Sequence, residues 1–411
     1  MTRTVASRRR RGRGVSLIEL LVAMAIALVT TLAVTVVLVN GERGKRSNTS
    51  VNDVNQTAAY VMYVMDRHVR SAGSGFSQRW FESFGCNLHI AKSGTALLPR
   101  ASAMPAPFDN AAQSAVLAPV LVQADAADVG SDVRGDVVSV MAGTAGFSGV
   151  SQLALINSVQ GNSSAGSLTL PNTLGFRDGD IVVLADSGVA QGCMAQQVTG
   201  LPSGVGGTTV VLPMSGAYYA ATGANIQLGN FGGATYPLPL GNLPNNPPQF
   251  FLYGVGTNAT LFQQDLFNIT GPDAPVPVAE GVVEMRAVYG IDTTTPPDGT
   301  LDLWVRPIAS TGFDHASLSN GSATARQRIR QIVAVRFAFV LRTTLREKEM
   351  QLGRNYDAAT GTYTIDLFAD LATDGHDVAR SRTIGGDERH YRYRSAELTV
   401  PLRNVMLAPA S

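Results

Sequence analysis

Leu20 to Val39 carry no charged side chain, and this run of twenty residues constrains the chain more than any other feature. A helix of that length spans about 30 Å, the hydrocarbon thickness of a bilayer. Ahead of it stand Arg3, Arg8, Arg9, Arg10, Arg11 and Arg13, a basic leader of the kind that stays on the cytoplasmic side. The far flank, with Glu42, Arg43, Lys45 and Arg46, is also basic, so the charge asymmetry is partial. The run is too long for the apolar core of a typical cleaved secretory signal. A plain membrane anchor accounts for its length and for the arginines, but not for Glu19. A carboxylate drawn into the bilayer costs roughly 2.5–3.5 kcal/mol on insertion scales and usually marks a partner.

The segment Gly14-Val15-Ser16-Leu17-Ile18-Glu19-Leu20 resembles the class III (prepilin) signal of type IV pilins and type II secretion pseudopilins. The resemblance implies cleavage by a prepilin peptidase after Gly14 and N-methylation of Val15. It also implies that Glu19, at the fifth mature position, meets the amine of a neighbouring subunit as helices bundle. Pairing there would compensate the buried charge. The sequence departs from the family at Val15, where Phe is most frequent, and at Val36, where many major pilins carry a kinking Pro. The cleavage glycine and the acid are both retained.

More than 360 residues follow the apolar run, enough for one large domain or two smaller ones. With the leader in the cytoplasm, they face the periplasm or beyond, where disulfides persist. Cys86 and Cys193 are the two cysteines, so one internal pairing is possible and is expected. Neither has a cysteine or histidine at close ligand spacing, and no metal site is expected. A net charge of +1 gives no broad basic field, so nucleic acid is not an expected partner.

The helical pattern continues beyond the membrane. Val51, Val54, Ala58, Val61, Met65 and Val69 recur at three- and four-residue spacings, an apolar stripe on one helix face. Gly41 and Gly44 are expected to weaken, melt or bend the middle. Ser71-Ala72-Gly73 reads as the stop. A helix from Ser16 to Ser71 would be about 80 Å long. Its second half is expected to dock on its own globular domain while the first half bundles with neighbours.

Beyond Gly75 the period becomes two. In residues 332–343, Val333, Val335, Phe337, Phe339 and Leu341 alternate with Ala334, Arg336, Ala338, Val340 and Arg342. This predicts an antiparallel strand with one core face and one partly charged face. Further strands are predicted in 135–143, 179–186, 208–213, 250–254 and 282–291, with a last strand or hairpin in 390–402 that places Pro401 near an edge or end. Frequent Gly and Pro, 42 and 20 residues, fit short strands with many turns. The Gly- and Pro-rich stretches 202–207, 229–248 and 293–299 read as surface loops.

Residues 65–88, ending in "FGCNL", and 178–200, with Cys193, resemble the helix end and cysteine-bearing loop of PilW-type minor pilins. "VAVRFAFVLRT" and the terminal "VPLRN" resemble that family's last strands.

Motifs for chemistry are missing: there is no P-loop, HExxH or dinucleotide glycine pattern. His68, His89, His315, His376 and His390 are scattered. Ser148 in "GFSG" lacks the full nucleophile-elbow pattern. Asp292, Asp298 and Asp302 surround a glycine turn, but their spacing is not that of a calcium loop; a solvated turn is expected, and likewise for Asp125, Asp128, Asp132 and Asp136. Tyr391, Arg392, Tyr393 and Arg394 read as strand residues in cross-strand packing. No catalytic residue and no cofactor is expected.

The sequence therefore predicts an α+β protein: a basic leader (1–14), a long N-terminal helix (15–72) whose transmembrane half is 20–39, and a large, mainly antiparallel β-rich domain (73–411), in one or two subdomains. The resemblance implies a minor pilin that primes filament assembly and sits at the filament tip. Its implied partners are the prepilin peptidase, other minor pilins and the major pilin through the helix bundle, a tip adhesin, and the inner membrane before assembly. A type II secretion pseudopilin and a membrane-tethered binding or hydrolytic ectodomain are the alternatives.

Overall fold

The computed structural model describes residues 14–128, 135–145, 158–173, 175–186, 188, 192–200, 211–232, 234–269, 273–347, 350–353, 355–374 and 378–409. The arginine leader, Asp132, Ser148, His376 and the 202–207 stretch lie outside the described residues. The chain divides into two compact units, Met1–Asp53 and Val54–Ser411.

Helix α1 runs over Leu17–Ser71. It passes through Gly41 and Gly44 unbroken, contrary to the expected weak point. Each glycine costs about 1 kcal/mol in a helix interior, which a long cooperative helix absorbs. Three hydroxyls inside the apolar run are satisfied by the helix itself: Thr30 and Thr31 donate to Ala27 O (2.9 and 2.8 Å), and Thr35 donates to Thr31 O (2.8 Å). Polar atoms bonded this way are tolerated in lipid.

In the second unit, Val54, Ala58, Val61, Met65, Val69 and Ala72 are buried in the main core, while Val51 is half-buried. Each of the valines and the methionine contributes on the order of 1.5–3 kcal/mol when fully buried. The helix ends where predicted. Gly73 adopts φ +80°, its N–H donates to Met141 O (2.8 Å), and a Cβ there would lie 2.3 Å from Ser77 Oγ. A side chain would be both strained and obstructed.

Three larger sheets follow. The first has the order β12-β7-β8-β1-β2, with β1 Leu88–Lys92, β2 Thr95–Leu98, β7 Asp180–Ala185, β8 Cys193–Gln197 and β12 Tyr236–Asn242. It is antiparallel except for the β1–β8 pair. The second, β15-β14-β13-β4-β3, is antiparallel throughout and comprises β3 Val120–Ala127, β4 Gly135–Ala142, β13 Gln249–Gly256, β14 Thr260–Asp265 and β15 Val276–Glu280. The third, β17-β16-β18-β21, comprises β16 Val282–Ile291, β17 Leu303–Val305, β18 Ile332–Arg342 and β21 Tyr393–Pro401. Smaller sheets pair β5 Ser158–Gly161, β6 Gly166–Thr169 and β9 Val211–Met214; β10 Thr222–Gly223 and β11 Ile226–Gln227; and β19 Tyr363–Leu367 and β20 Arg380–Ile384.

Two readings of the strands need correction. The 229–248 stretch is not all surface loop: β12 is largely buried and pairs with β7 through Pro237 opposite Leu184 and Pro239 opposite Val182. Proline is compatible with this position because β12 is an edge strand, where a missing N–H costs no ladder bond. The second face of β18 is also covered. Val335, Phe337, Phe339 and Leu341 enter the main core, while Ala338 and Val340 join Leu367, Phe368, Leu371 and Val378 in a separate cluster.

Candidate functional site

Gly14, Val15 and Ser16 precede α1, and open space surrounds the position a Cβ would take at Gly14. Ser16 caps the helix: its Oγ accepts from the Glu19 N–H (3.2 Å), and its carbonyl accepts from Glu19 and Leu20. Ser-x-x-Glu is the sequence pattern of a capping box. It places Glu19 in the first turn, where an acid also favours the positive end of the helix dipole. Val15, Leu17 and Ile18 are exposed, as is every large apolar side chain from Leu20 to Val39. The helix is long and apolar enough to cross a membrane.

At the other end of α1, Asn404 closes the helix. Its amide Nδ2 donates to Ser71 O (3.2 Å) and Ala72 O (3.0 Å), carbonyls that the last turn cannot satisfy internally. One turn earlier His68 lies beside Phe251 and Tyr253, with ring centroids 5.4 and 6.0 Å away, and its Nδ1 bonds the Tyr253 hydroxyl. Burial, with the nearby Arg67 charge, lowers the His68 pKa below the usual imidazole value.

Cys86 and Cys193 form a disulfide, with Cα atoms 5.7 Å apart at a sequence separation of 107. Closing so long a loop is worth about 4–5 kcal/mol in the chain-entropy picture. Next to it, Leu88 pairs with Cys193 in the parallel β1–β8 contact, and Cys193 N–H donates to Asn87 O (2.7 Å). Gly192 makes that approach possible: its φ is +123°, and a Cβ would fall 2.1 Å from Asn87 O.

Sequence reasoning missed a buried charge network. Arg286 Nη1 contacts Asp136 Oδ1 (2.9 Å) and Asp125 Oδ1 (2.5 Å), and its Nε contacts Glu284 Oε1 (2.6 Å). Arg382 joins Glu284 (3.2 Å) to Glu388 (3.1 Å). The network ties β3 and β4 to β16, β20 and the turn at 386–390. Asp136 is buried rather than in a solvated turn: Ala287 N–H donates to its Oδ2 (2.9 Å). Burial pushes the Asp136 carboxyl up, against the pull of Arg286. For Arg286, burial works downward, but Asp136 and Glu284 outweigh it and hold the guanidinium above its ordinary value. The available signal was Glu284-x-Arg286 inside a ten-residue, mostly apolar strand: equal charges of opposite sign on one face require partners when that face is covered.

The aspartates of the 292–302 turn satisfy backbone and hydroxyl donors. Asp292 accepts from Gly299 N–H (2.6 Å) and Thr294 N–H (2.9 Å), and Asp302 accepts from Thr293 N–H (2.8 Å). Among the described residues, no group of three or more His, Cys, Asp or Glu side chains is placed to hold a metal ion. Arg392 pairs with Glu347 (2.6 Å), and Arg342 stacks on Tyr391 with 4.7 Å to the ring centroid. Tyr391 lies outside β21, which begins at Tyr393.

Comparison with protein families places a prokaryotic N-terminal methylation motif at residues 9–35 and a Type IV Pilus-assembly protein W region at 251–404. The two matches support a PilW-like type IV minor pilin. The first match covers Gly14, Val15 and Glu19; the second starts in β13 and ends at Asn404, the residue that closes α1. It includes the 333–343 and 400–404 blocks, whereas 65–88 and 178–200, with both cysteines, lie outside it. No curated protein and no solved structure matches the chain.

Proposed function

We propose that this pilin primes filament assembly and sits at or near the filament tip with other minor pilins, the major pilin and a tip adhesin. The observation that supports the reading is the head of α1: an uncapped approach to Gly14, a serine-capped first turn carrying Glu19, and a fully exposed apolar run behind it. An exposed apolar helix is stable only in lipid or against other helices. In the proposed sequence of events, the leader holds the precursor in the inner membrane with residues 54–411 in the periplasm, where Cys86 and Cys193 oxidise. The prepilin peptidase cuts after Gly14. The Val15 amine is methylated, and Glu19 pairs with a neighbouring subunit's amine as the helix leaves lipid.

Mass spectrometry of the N-terminus after co-expression with a prepilin peptidase tests this. The expected mature chain starts at N-methylated Val15, and Gly14→Glu stays unprocessed. A chain that retains Met1 or begins after residue 39 would sink the reading. Deletion should remove surface pili and twitching; loss of enzyme secretion with pili intact would instead indicate a secretion pseudopilin.

A further inference from the structure

We propose that a hollow on one face of the second sheet, floored by Phe251, binds a neutral saccharide. The hollow has a volume of about 380 Å³, within the ~300–1,000 Å³ usual for small-ligand sites. Its sheet residues are Gln249, Phe251, Gln263, Asp265 and Val276. The strand register puts these five on one face, since Phe251 lies opposite Asp265 and Gln263 opposite Val276, and alternate residues of a strand share a face. The intervening Phe250, Leu252 and Leu261 enter the main core.

The floor is fixed. Phe251 is half-buried and held between His68 and Tyr253, with ring centroids 5.4 and 6.3 Å away. The rim is braced as well: Thr144 Oγ1 donates to Pro247 O (2.9 Å), and the Asn246 amide donates to Thr144 O. Around this frame stand carboxamides with hydrogen-bonding capacity to spare. Gln263 Oε1 accepts from the Tyr253 hydroxyl (3.0 Å), which leaves its amide nitrogen. Asn245 donates to Asn242 Oδ1 (2.9 Å), which leaves its own carbonyl. The side-chain amides of Gln249 and Asn268 make no hydrogen bond among the described residues.

The lining sets the chemistry of the occupant. Among the described residues lining the hollow there is no Lys or Arg, so an anion finds no counter-charge. The one carboxylate, Asp265, is already taken by the chain: its Oδ1 accepts from Phe267 N–H (2.9 Å) and its Oδ2 from Ile269 N–H (3.0 Å). A wholly apolar ligand would desolvate the amides without replacing their bonds to water. A peptide adding as a strand has no edge to use on the floor, because β13 and β14 are each paired on both sides. A pyranose ring fits the remaining description: hydroxyls that both donate and accept for the carboxamides, and an apolar C–H face for Phe251, Val276 and Ile269. The inference rests on the second unit alone and is independent of how α1 is processed.

The test is saturation-transfer NMR on the full chain in a sugar-free zwitterionic detergent. The probes are methyl β-D-glucopyranoside and its N-acetylglucosamine counterpart. Saturable transfer to at least one glycoside is expected. Preference for the N-acetylated probe would point to glycan of the cell-wall type, and preference for the other to an external polysaccharide; either supports the site. Gln249→Ala and Asn268→Gly should each weaken binding about three- to tenfold, the loss of one or two hydrogen bonds. Glycine accepts the φ of +53° at position 268, so that variant keeps the backbone. Circular dichroism and the intact Cys86–Cys193 bond confirm that each variant is folded. Absence of saturable transfer at tens of millimolar glycoside, or equal affinity in wild type and both variants, would overturn the proposal. So would tighter binding of acetyl-Pro-Pro-Gln amide than of either glycoside, because the occupant would then be a peptide.

Discussion

Residues 17–53 and 54–71 belong to one helix and obey opposite rules. The first part is apolar on all sides up to Val39 and buries almost none of it within the chain. The second carries an apolar stripe that is buried, Val61, Met65 and Val69 having no exposed surface, while Tyr60 and Tyr63 on the other side stay exposed. The difference shows what each part is for. A stripe is completed by the fold, whereas an all-round apolar helix needs lipid or neighbouring subunits. Local helix propensity does not distinguish them; the angular distribution of the apolar residues does.

The strongest way to break the comparison is at Glu19. Glu19→Gln keeps the shape of the side chain and removes its charge. It should abolish pilus yield and co-purification of other minor pilins while leaving processing and the unfolding of residues 54–411 unchanged. Wild-type yield with the variant confirmed in filaments would reduce Glu19 to a helix-capping acid.

Next in size is a pair of methionines. Met65→Ala should destabilise the globular unit by about 2–5 kcal/mol, the range for emptying a packed site. Met24→Ala, on the exposed half, should leave the same thermal transition unmoved. A similar cost for both would mean that the two halves do not differ as described.

Asn404→Ala tests how the buried half is terminated. Loss of its two hydrogen bonds to Ser71 and Ala72 should cost about 1 kcal/mol, measured by chemical denaturation. Hydrogen exchange should rise in the last turn of α1 and not near Ser16.

The smallest effect is the pH response of His68. Its folded pKa lies below 6.5, so the folded state resists protonation. The stability this residue contributes is complete above the unfolded value and is lost as pH falls from 6.5 through the folded pKa. His68→Gln should therefore flatten the decline of melting temperature in that acidic window. An unchanged pH slope would show that His68 does not titrate differently on unfolding.

Much of this was legible because it is periodic or local. The spacing of Val54 to Val69 exposes a helix face, Gly73 marks the stop, and the alternation from Val333 to Leu341 names a core face before any partner is known. The prepilin-like segment was readable for the same reason: its residues act at fixed short separations. By contrast, β12 was hidden by Pro237 and Pro239, which look like loop residues until the strand is seen to lie at a sheet edge.

The sequence by itself determined the membrane-length run, the position of Glu19 in the first turn, the buried stripe and the single possible cysteine pairing. Each follows from spacing along one segment or from counting. Only the tertiary structure decided that Asp136 is a buried partner of Arg286, that the second face of β18 is covered by Leu367, Phe368, Leu371 and Val378, and that Asn404 closes a helix ending at Ser71. These depend on groups far apart in the chain being brought within a few ångströms. A charge or a strand edge carries no mark in the sequence of what will stand opposite it.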